Sequence, residues 1–135
     1  MAVVKLGSKV KTNLPATIRY AINHDELIAS RGGADTALGG PIPSLDPGYE
    51  DLTGLYPYDL DKAKSLMAEA GYPDGEGFPV VEYSANDAGY HIPVAEYVQQ
   101  AWGELGITVN INKVEWASFL PMRRAGDYDI SRNGW

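Results

Sequence analysis

Two tryptophans and two of the three arginines in the last twenty residues of the chain favour ligand recognition by their types and spacing. Trp116 follows a predicted strand, and Trp135 follows the next predicted strand and a glycine. Arg123 and Arg132 lie close to them in sequence. Strand ends are where α/β folds bind ligands, and aromatic rings beside a guanidinium suit a ligand with an apolar body and a carboxylate. The alternative interpretation is a core tryptophan and a surface arginine at each position.

The remaining polar clusters do not form a catalytic set. His24 stands beside acidic residues in NHDE, but adjacent helix residues point in different directions, so the cluster predicts a polar helix start. His91 lies near a predicted helix N-terminus, where it caps the helix, faces solvent or lines a cleft. The stretch RGGADTALGGP lacks the Lys-Ser/Thr of a phosphate-binding loop. Without a nucleophile elbow or an HExxH motif, the sequence predicts no enzyme, no cofactor and no metal site.

Composition excludes several classes of partner. The chain has 135 residues, of which 44% are hydrophobic and 21% charged, so it suits a single globular domain over residues 1–135. Its net charge of −7 argues against nucleic acid and against an anionic membrane surface. It has no cysteine, which excludes a thiol nucleophile, a disulfide framework and a cysteine-ligated zinc. Residues 1–11 are too short and polar for a complete signal peptide, so any signal is expected outside this sequence.

Hydrophobic periodicity predicts the elements that position these residues. A helix is predicted within Tyr58–Gly75, with Asp59 as its N-cap and apolar residues at helical spacing. Pro79–Ala85 and Ile107–Val114 have the pattern of strands, and His91–Leu105 between them has that of a helix. Strand, helix and strand in this order predict a parallel βαβ unit with a right-handed crossover.

Shorter elements complete the predicted fold. A helix is expected over Ser118–Ala125, with Ser118 as its cap, and a strand over Asp127–Ser131. Arg31–Pro57 is rich in glycine and proline and predicts a surface loop. The expected fold class is α/β, a small mixed or mostly parallel sheet flanked by helices.

Four stretches and their order resemble the second lobe of the extracytoplasmic solute-binding proteins of oligopeptide and dipeptide ABC transporters. Together with the Pro41–Pro43 loop they cover most of the chain from residue 18 onward. They are IRYAINHDELI, YPYDLDKAKSLMAEAGYPDG, AEYVQQAWGELGITVNINKVEWASFL and GDYDISRNGW.

This resemblance implies a capture function without chemistry. A protein of this family is a two-lobed, type II periplasmic binding protein that closes by hinge motion around a peptide. The chain would be one excised lobe, and its partners would be a peptide ligand, the missing larger lobe and a membrane ABC permease, with no nucleic acid. The location implied is bacterial and periplasmic, or extracytoplasmic and lipid-anchored. The same lobe also occurs in binders of nickel chelates, haem, oligosaccharides and opines, and these alternatives remain open.

Site residues carry over from the resemblance one by one. Trp116 and Trp135 stand where oligopeptide binders place aromatic pocket residues. Gly134 stands where backbone groups pair with an extended peptide. Arg123, Arg132 and His91 stand near positions that meet ligand side chains or the carboxylate end. Outside this family, the sequence leaves open two alternatives. One is a small free-standing enzyme, against which the lack of a catalytic constellation argues. The other is an interaction module that docks through Trp135 and its flanking aromatics.

Overall fold

A computed structural model of the chain describes residues 2–4, 14–33, 37, 39, 42, 44–52 and 54–132, and places five α-helices and four strands there. Gly134, Trp135 and the proline loop at 41 and 43 lie outside the described residues. In chain order the elements are β1 (Ala2–Val4), α1 (Leu14–Tyr20), α2 (His24–Ser30), α3 (Leu60–Glu69), a 3-10 turn (Pro73–Gly75), β2 (Val81–Asn86), α4 (His91–Gly103), β3 (Val109–Val114), α5 (Trp116–Ala125) and β4 (Ile130–Arg132).

The four strands form one mixed sheet in the order β1-β4-β2-β3. β2 is parallel to both β3 and β4, whereas β1 runs antiparallel to β4 at one edge. The register places Tyr83 of β2 between Ile111 of β3 and Ile130 of β4. The predicted βαβ unit and the predicted α/β fold class are confirmed.

The two crossover helices lie on opposite faces of the sheet. The chain moves from β2 to the neighbouring β3 through α4, and then returns past β2 to β4 through α5. Right-handed crossovers in opposite directions place their helices on opposite faces. Burial agrees with this arrangement, because Ala95 and Trp102 of α4 belong to the main core, whereas the fully buried Phe119 of α5 does not.

The main core lies between α4, α3, α1 and one face of the sheet. It includes Met67, Tyr83, Leu105 and Ile130, each no more than 1% exposed. The stripe predicted on α3 is present, with Ala63 and Met67 buried and the Asp59 Oδ1 accepting a hydrogen bond from the Lys62 N–H at 2.8 Å. Trp102 of α4 is 4% exposed and belongs to this core. Among the described residues, no helix combines the length and apolarity needed to cross a membrane.

The predicted start of α5 at Ser118 is wrong. The helix begins at Trp116, because the Glu115 carboxylate accepts a hydrogen bond from the Ala117 N–H at 3.1 Å, which places the cap three residues before Ser118. Pro121 consequently lies inside the helix, where its missing N–H leaves the Ala117 carbonyl without its usual donor. The last strand is also displaced and shorter than expected, starting at Ile130.

Candidate functional site

The carboxyl ends of the three parallel strands meet at one edge of the sheet, which we call the carboxyl edge. β2 ends at Asn86 and β3 ends at Val114, and these two residues are paired. Their outgoing connections lead to helices on opposite faces, so the gap between them is a topological switch point, where open α/β sheets bind ligands. The Asn86 amide pins the outgoing turn, because its Oδ1 accepts from the Ala88 N–H at 3.0 Å.

Four side chains meet at the carboxyl edge, and we call them the edge cluster: Arg31, Tyr90, His91 and Arg132. Tyr90 is the N-cap of α4, and His91 is its first residue. The Arg132 Nη1 donates a hydrogen bond to His91 Nδ1 at 2.6 Å. The Tyr90 ring stacks on the imidazole at 5.1 Å between centroids, and the Arg132 guanidinium carbon lies 4.8 Å from the same ring. Two residues predicted from the sequence, His91 and Arg132, are therefore in direct contact.

The protonation of His91 follows from this contact. Burial lowers the pKa of His91 from 6.5, and the positive charge of Arg132 lowers this pKa further. A neutral imidazole leaves Nδ1 free to accept from the guanidinium, whereas an imidazolium has no lone pair there. Within the described part of the chain, Arg132 contacts an imidazole and an aromatic ring but no carboxylate. Its guanidinium thus keeps donors for a ligand anion.

We expect the pKa of His91 to lie below 6.5 and to rise in the Arg132→Gln variant. The unfolded chain binds more protons than the folded chain between these two pKa values. The stability from this residue is therefore complete above pH 6.5 and is lost as pH falls towards the folded-state pKa. An NMR titration of the His91 ring checks both expectations. An unchanged pKa in Arg132→Gln would show that the charge of Arg132 does not contribute to lowering it.

Tyr83 forms the buried floor beside Arg132. Its side chain is 1% exposed, and its hydroxyl has no hydrogen-bond partner among the described residues. Burial raises the pKa of the Tyr83 phenol to about 12, and Arg132 acts in the opposite direction. The phenol is therefore neutral, and Tyr83 adds no negative charge beside Arg132.

Trp116 lies at the same edge of the sheet as the edge cluster. It is the first residue of α5, directly after β3, and its side chain is 52% exposed. One face is supported by Phe119, whose ring stacks on it at 6.0 Å with an interplanar angle of 23°. An exposed indole held by a buried ring can contact the apolar part of a ligand at low conformational cost. The alternative interpretation of Trp116 as a core residue is wrong.

Arg123 is not brought to this edge. It lies in the last turn of α5, about 10 Å along the helix axis from Trp116. Because α5 runs back towards the amino ends of the strands, Arg123 and Arg124 lie where their charges favour the negative end of the helix dipole. Its predicted contact with a ligand stays a prediction, as do those of Gly134 and Trp135, which the structure does not describe.

Sequence reasoning missed Arg31 and Tyr90. Arg31 is the C-cap residue of α2, and its guanidinium carbon lies 4.5 Å from the Tyr90 ring centre. The two are 59 positions apart, and no local pattern links a loop arginine to the residue before a helix. The only available signal was that Tyr90 precedes a helix lacking a Ser, Thr, Asp or Asn cap.

A depression elsewhere on the molecule is lined by acidic rather than basic side chains. Its lining includes Glu26, Tyr58, Tyr97 and Glu104, with no basic side chain among the described residues. The Tyr97 hydroxyl donates to the Asn23 carbonyl at 2.9 Å and lies 3.3 Å from Glu26 Oε2. Two carboxylates there disfavour an anionic ligand. No group of three or more metal-ligating side chains occurs in the ranges that the structure describes.

A match to a known protein family shows what kind of protein the chain is. The family model described as "Bacterial extracellular solute-binding proteins, family 5 Middle" matches residues 14–135. The chain belongs to this family. The resemblance found in the sequence is thereby confirmed, and so is the prediction that the chain is not an enzyme, because its relatives are solute-binding proteins.

Individual relatives match most of the chain at moderate sequence identity. Heme-binding protein A of Haemophilus influenzae is 33% identical over 124 residues, which cover 87% of this chain and 22% of that protein. The dipeptide-binding protein of Escherichia coli is 31% identical over 123 residues, covering 87% and 23%. The chain therefore spans about a fifth of the length of these curated relatives.

The solved structures agree with the fold described above. The ABC transporter-associated periplasmic binding protein DppA of Helicobacter pylori, solved with the peptide STSA, superposes with a TM-score of 0.85 at 28% identity. The match covers 99% of this chain and 26% of that one. Such neighbours are two-lobed periplasmic binding proteins, which confirms the predicted fold type.

Proposed function

We propose that the chain is one lobe of the substrate-binding component of an ABC-type peptide importer. The lobe would capture a peptide against a second, larger lobe and present it to a membrane permease. The single observation that carries the proposal is the Arg132–His91 contact at the carboxyl edge, the same end of the parallel strands at which the exposed Trp116 begins α5. It supplies a carboxylate-binding group and an apolar surface in a chain of the solute-binding family.

Location and partners follow from the same proposal. The family is described as extracellular, so the parent protein would act outside the cytoplasm, in the periplasm or as a lipid-anchored protein. Residues 1–135 would be a single domain, an excised lobe, because relatives of similar fold are four to five times longer. The charge of −7 supports a small-molecule ligand rather than nucleic acid.

Replacing Arg132 by glutamine is expected to weaken binding of a tripeptide such as Ala-Ala-Ala by about three- to tenfold, because one charge-assisted contact to the carboxylate is lost. Binding to the isolated chain should be weak, since the site is open to water that screens charges. Chemical-shift titration of the labelled chain measures affinities in this range. The same peptide with an amidated C-terminus should lose affinity in the wild-type chain and show little further loss in Arg132→Gln.

Two control variants keep this experiment specific. Arg124→Gln removes the same charge from an exposed position in the last turn of α5 and should leave affinity unchanged. Arg123→Gln tests the ligand contact expected from the sequence, which the geometry does not place at the carboxyl edge. Equal affinity for the peptide and its amide would contradict carboxylate recognition by Arg132.

Haem is a second candidate ligand, because the relative at 33% identity is named a heme-binding protein. The exposed Trp116 and the stacked Tyr90–His91 pair would suit a flat aromatic ligand. Absorbance titration with haem distinguishes haem from peptide as the ligand. A haem complex with no shift from any peptide would replace the peptide proposal and keep the family.

A further inference from the structure

The depression with the acidic lining lies away from the edge cluster, and we call it the acidic depression: its polar lining includes Glu26, Tyr58, Tyr97 and Glu104. Its empty space is about 290 Å³ with the open mouth included, which is at the lower limit for small-molecule pockets. Glu104 directly follows α4, about 20 Å along the helix axis from the first residue of that helix. The acidic depression therefore suits one small head group and is separate from the carboxyl edge.

Hydrogen bonds between α2 and α4 fix one wall of the acidic depression. The Asn23 Oδ1 caps α2 by accepting from the Glu26 N–H at 3.3 Å, which sets the position of Glu26. The Tyr97 hydroxyl of α4 donates to the Asn23 carbonyl at 2.9 Å and lies 3.3 Å from Glu26 Oε2. The Tyr97 phenol thus holds the Glu26 carboxylate against α4, so this wall is formed before any ligand binds.

The charges that act on the exposed tyrosine of the acidic depression are negative. Partial burial raises the pKa of the Tyr58 phenol, and the Glu104, Glu26 and Asp61 carboxylates raise this pKa further. No basic side chain among the described residues lines the depression. Tyr58 is 47% exposed, so a cation from outside the chain can reach its ring.

Glu104 stands where local rules disfavour a carboxylate. It is the C-cap of α4, and the last turn of this 13-residue helix has no basic residue. The carbonyl groups at a helix C-terminus carry partial negative charge, so an acidic side chain there is destabilising. Glu26 differs, because it lies in the first turn of α2, where the helix dipole favours it. A residue that breaks a local rule without an evident compensating contact is typical of a functional position.

We propose that the acidic depression binds a primary alkylammonium group, with Glu26 and Glu104 as its charged partners and the Tyr58 ring as its cation–π partner. An ammonium group has three N–H donors and no acceptor, which suits two carboxylates. Leu60 and Ala101 line the same depression and pack against the alkyl stem. The group has two possible sources, a free amine and a lysine side chain of another protein. This inference goes beyond the proposed function and does not rest on it.

Chemical-shift titration of the labelled 135-residue chain with n-butylammonium chloride tests the inference, and 1-butanol is the neutral comparison. We expect butylammonium to shift the Tyr58 and Tyr97 resonances with a dissociation constant in the millimolar range, and butanol to bind about tenfold more weakly. Glu104→Gln should weaken butylammonium binding by about three- to fivefold, the size of one exposed ion pair. The affinity should also fall as salt concentration rises.

Glu69→Gln is the matched control. Glu69 is the exposed last residue of α3 and does not line the acidic depression. This variant therefore loses the same charge from another helix C-terminus, and its affinity for butylammonium should be unchanged. Equal losses in Glu69→Gln and Glu104→Gln would mean that net charge sets the affinity, and would overturn the inference.

The remaining outcomes decide the inference and then the source of the ammonium group. Equal affinity for butylammonium and butanol, or no shift at Tyr58 and Tyr97, would overturn it. If butylammonium binds as expected, the peptide Ac-Gly-Lys-Gly-NH2 separates the two sources. Binding of both probes retains the inference with a lysine side chain as the source, and binding of the amine alone retains it with a free amine. The proposed function is tested separately, because the Arg132 experiments address the carboxyl edge.

Discussion

Gly106→Ala is expected to destabilise the chain by about 3 kcal/mol or more, because the site combines a left-handed backbone with a backbone contact. Gly106 has a φ of 77°, and a Cβ atom there would collide with the carbonyl of Asp74. Gly75, with a φ of 78°, faces it across the same contact, and a Cβ there would meet the Gly106 carbonyl. The contact joins the 3-10 turn to the end of α4, and neither backbone can move without displacing its element. Urea denaturation followed by tryptophan fluorescence measures the free energy of unfolding.

Two other glycines separate the cost of the left-handed backbone from the cost of the close backbone contact. Gly71 has a φ of 91° with open space around it, so Gly71→Ala should cost only about 1 kcal/mol for the backbone conformation. Gly103 is the last residue of α4; an added Cβ atom there would meet no atom within 4 Å outside its own helix, and its φ is not positive. Gly103→Ala should therefore be neutral or stabilise by up to about 1 kcal/mol. Equal losses for Gly71→Ala and Gly106→Ala would show that the close approach contributes nothing.

Much of the fold could be predicted because local rules and tertiary packing agree. On α3, the cap at Asp59 and the spacing of Ala63 and Met67 both gave the correct helix and its buried face. The parallel pairing of β2 and β3 followed from the order of elements. The start of α5 was wrong because Glu115, which is not a preferred cap residue, caps the helix in place of Ser118. The antiparallel pairing of β1 with β4 joins the two ends of the described chain and has no local signal.

The candidate site was predictable only where it follows strand ends. His91, Trp116 and Arg132 come after or at the ends of parallel strands, so one topological rule places them at one edge. Arg123 is close to Trp116 in sequence, but two helical turns separate them. Arg31 lies far from all of these in sequence and reaches the edge through the end of α2. Proximity in the sequence thus suggested Arg123, which the fold keeps away from the carboxyl edge. It missed Arg31, which the fold brings to the edge cluster.

Phe119→Ala is expected to destabilise the chain by about 3–5 kcal/mol, because it empties a fully buried position. Phe119 lies outside the main core, on the face of the sheet that α5 covers, so the other core residues do not readily fill the space. This loss is a large share of the stability of a domain of this size, about 5–15 kcal/mol. Chemical denaturation monitored by circular dichroism measures it.

The Phe119 variants also test how the fold presents Trp116. The Phe119 ring supports the indole from beneath, so Phe119→Ala should leave Trp116 mobile and reduce its fluorescence anisotropy. Phe119→Leu keeps most of the volume and should cost less than about 1.5 kcal/mol; it removes the ring stacking but leaves an apolar support. Leu120→Ala, at a neighbouring position that is only partly buried, is the control for truncation on the same helix. If Phe119→Ala lowers stability without reducing the fluorescence anisotropy of Trp116, then Phe119 anchors α5 but other contacts hold the indole. Loss of both shows that one buried ring links the packing of the second sheet face to the exposed indole of Trp116 at the carboxyl edge.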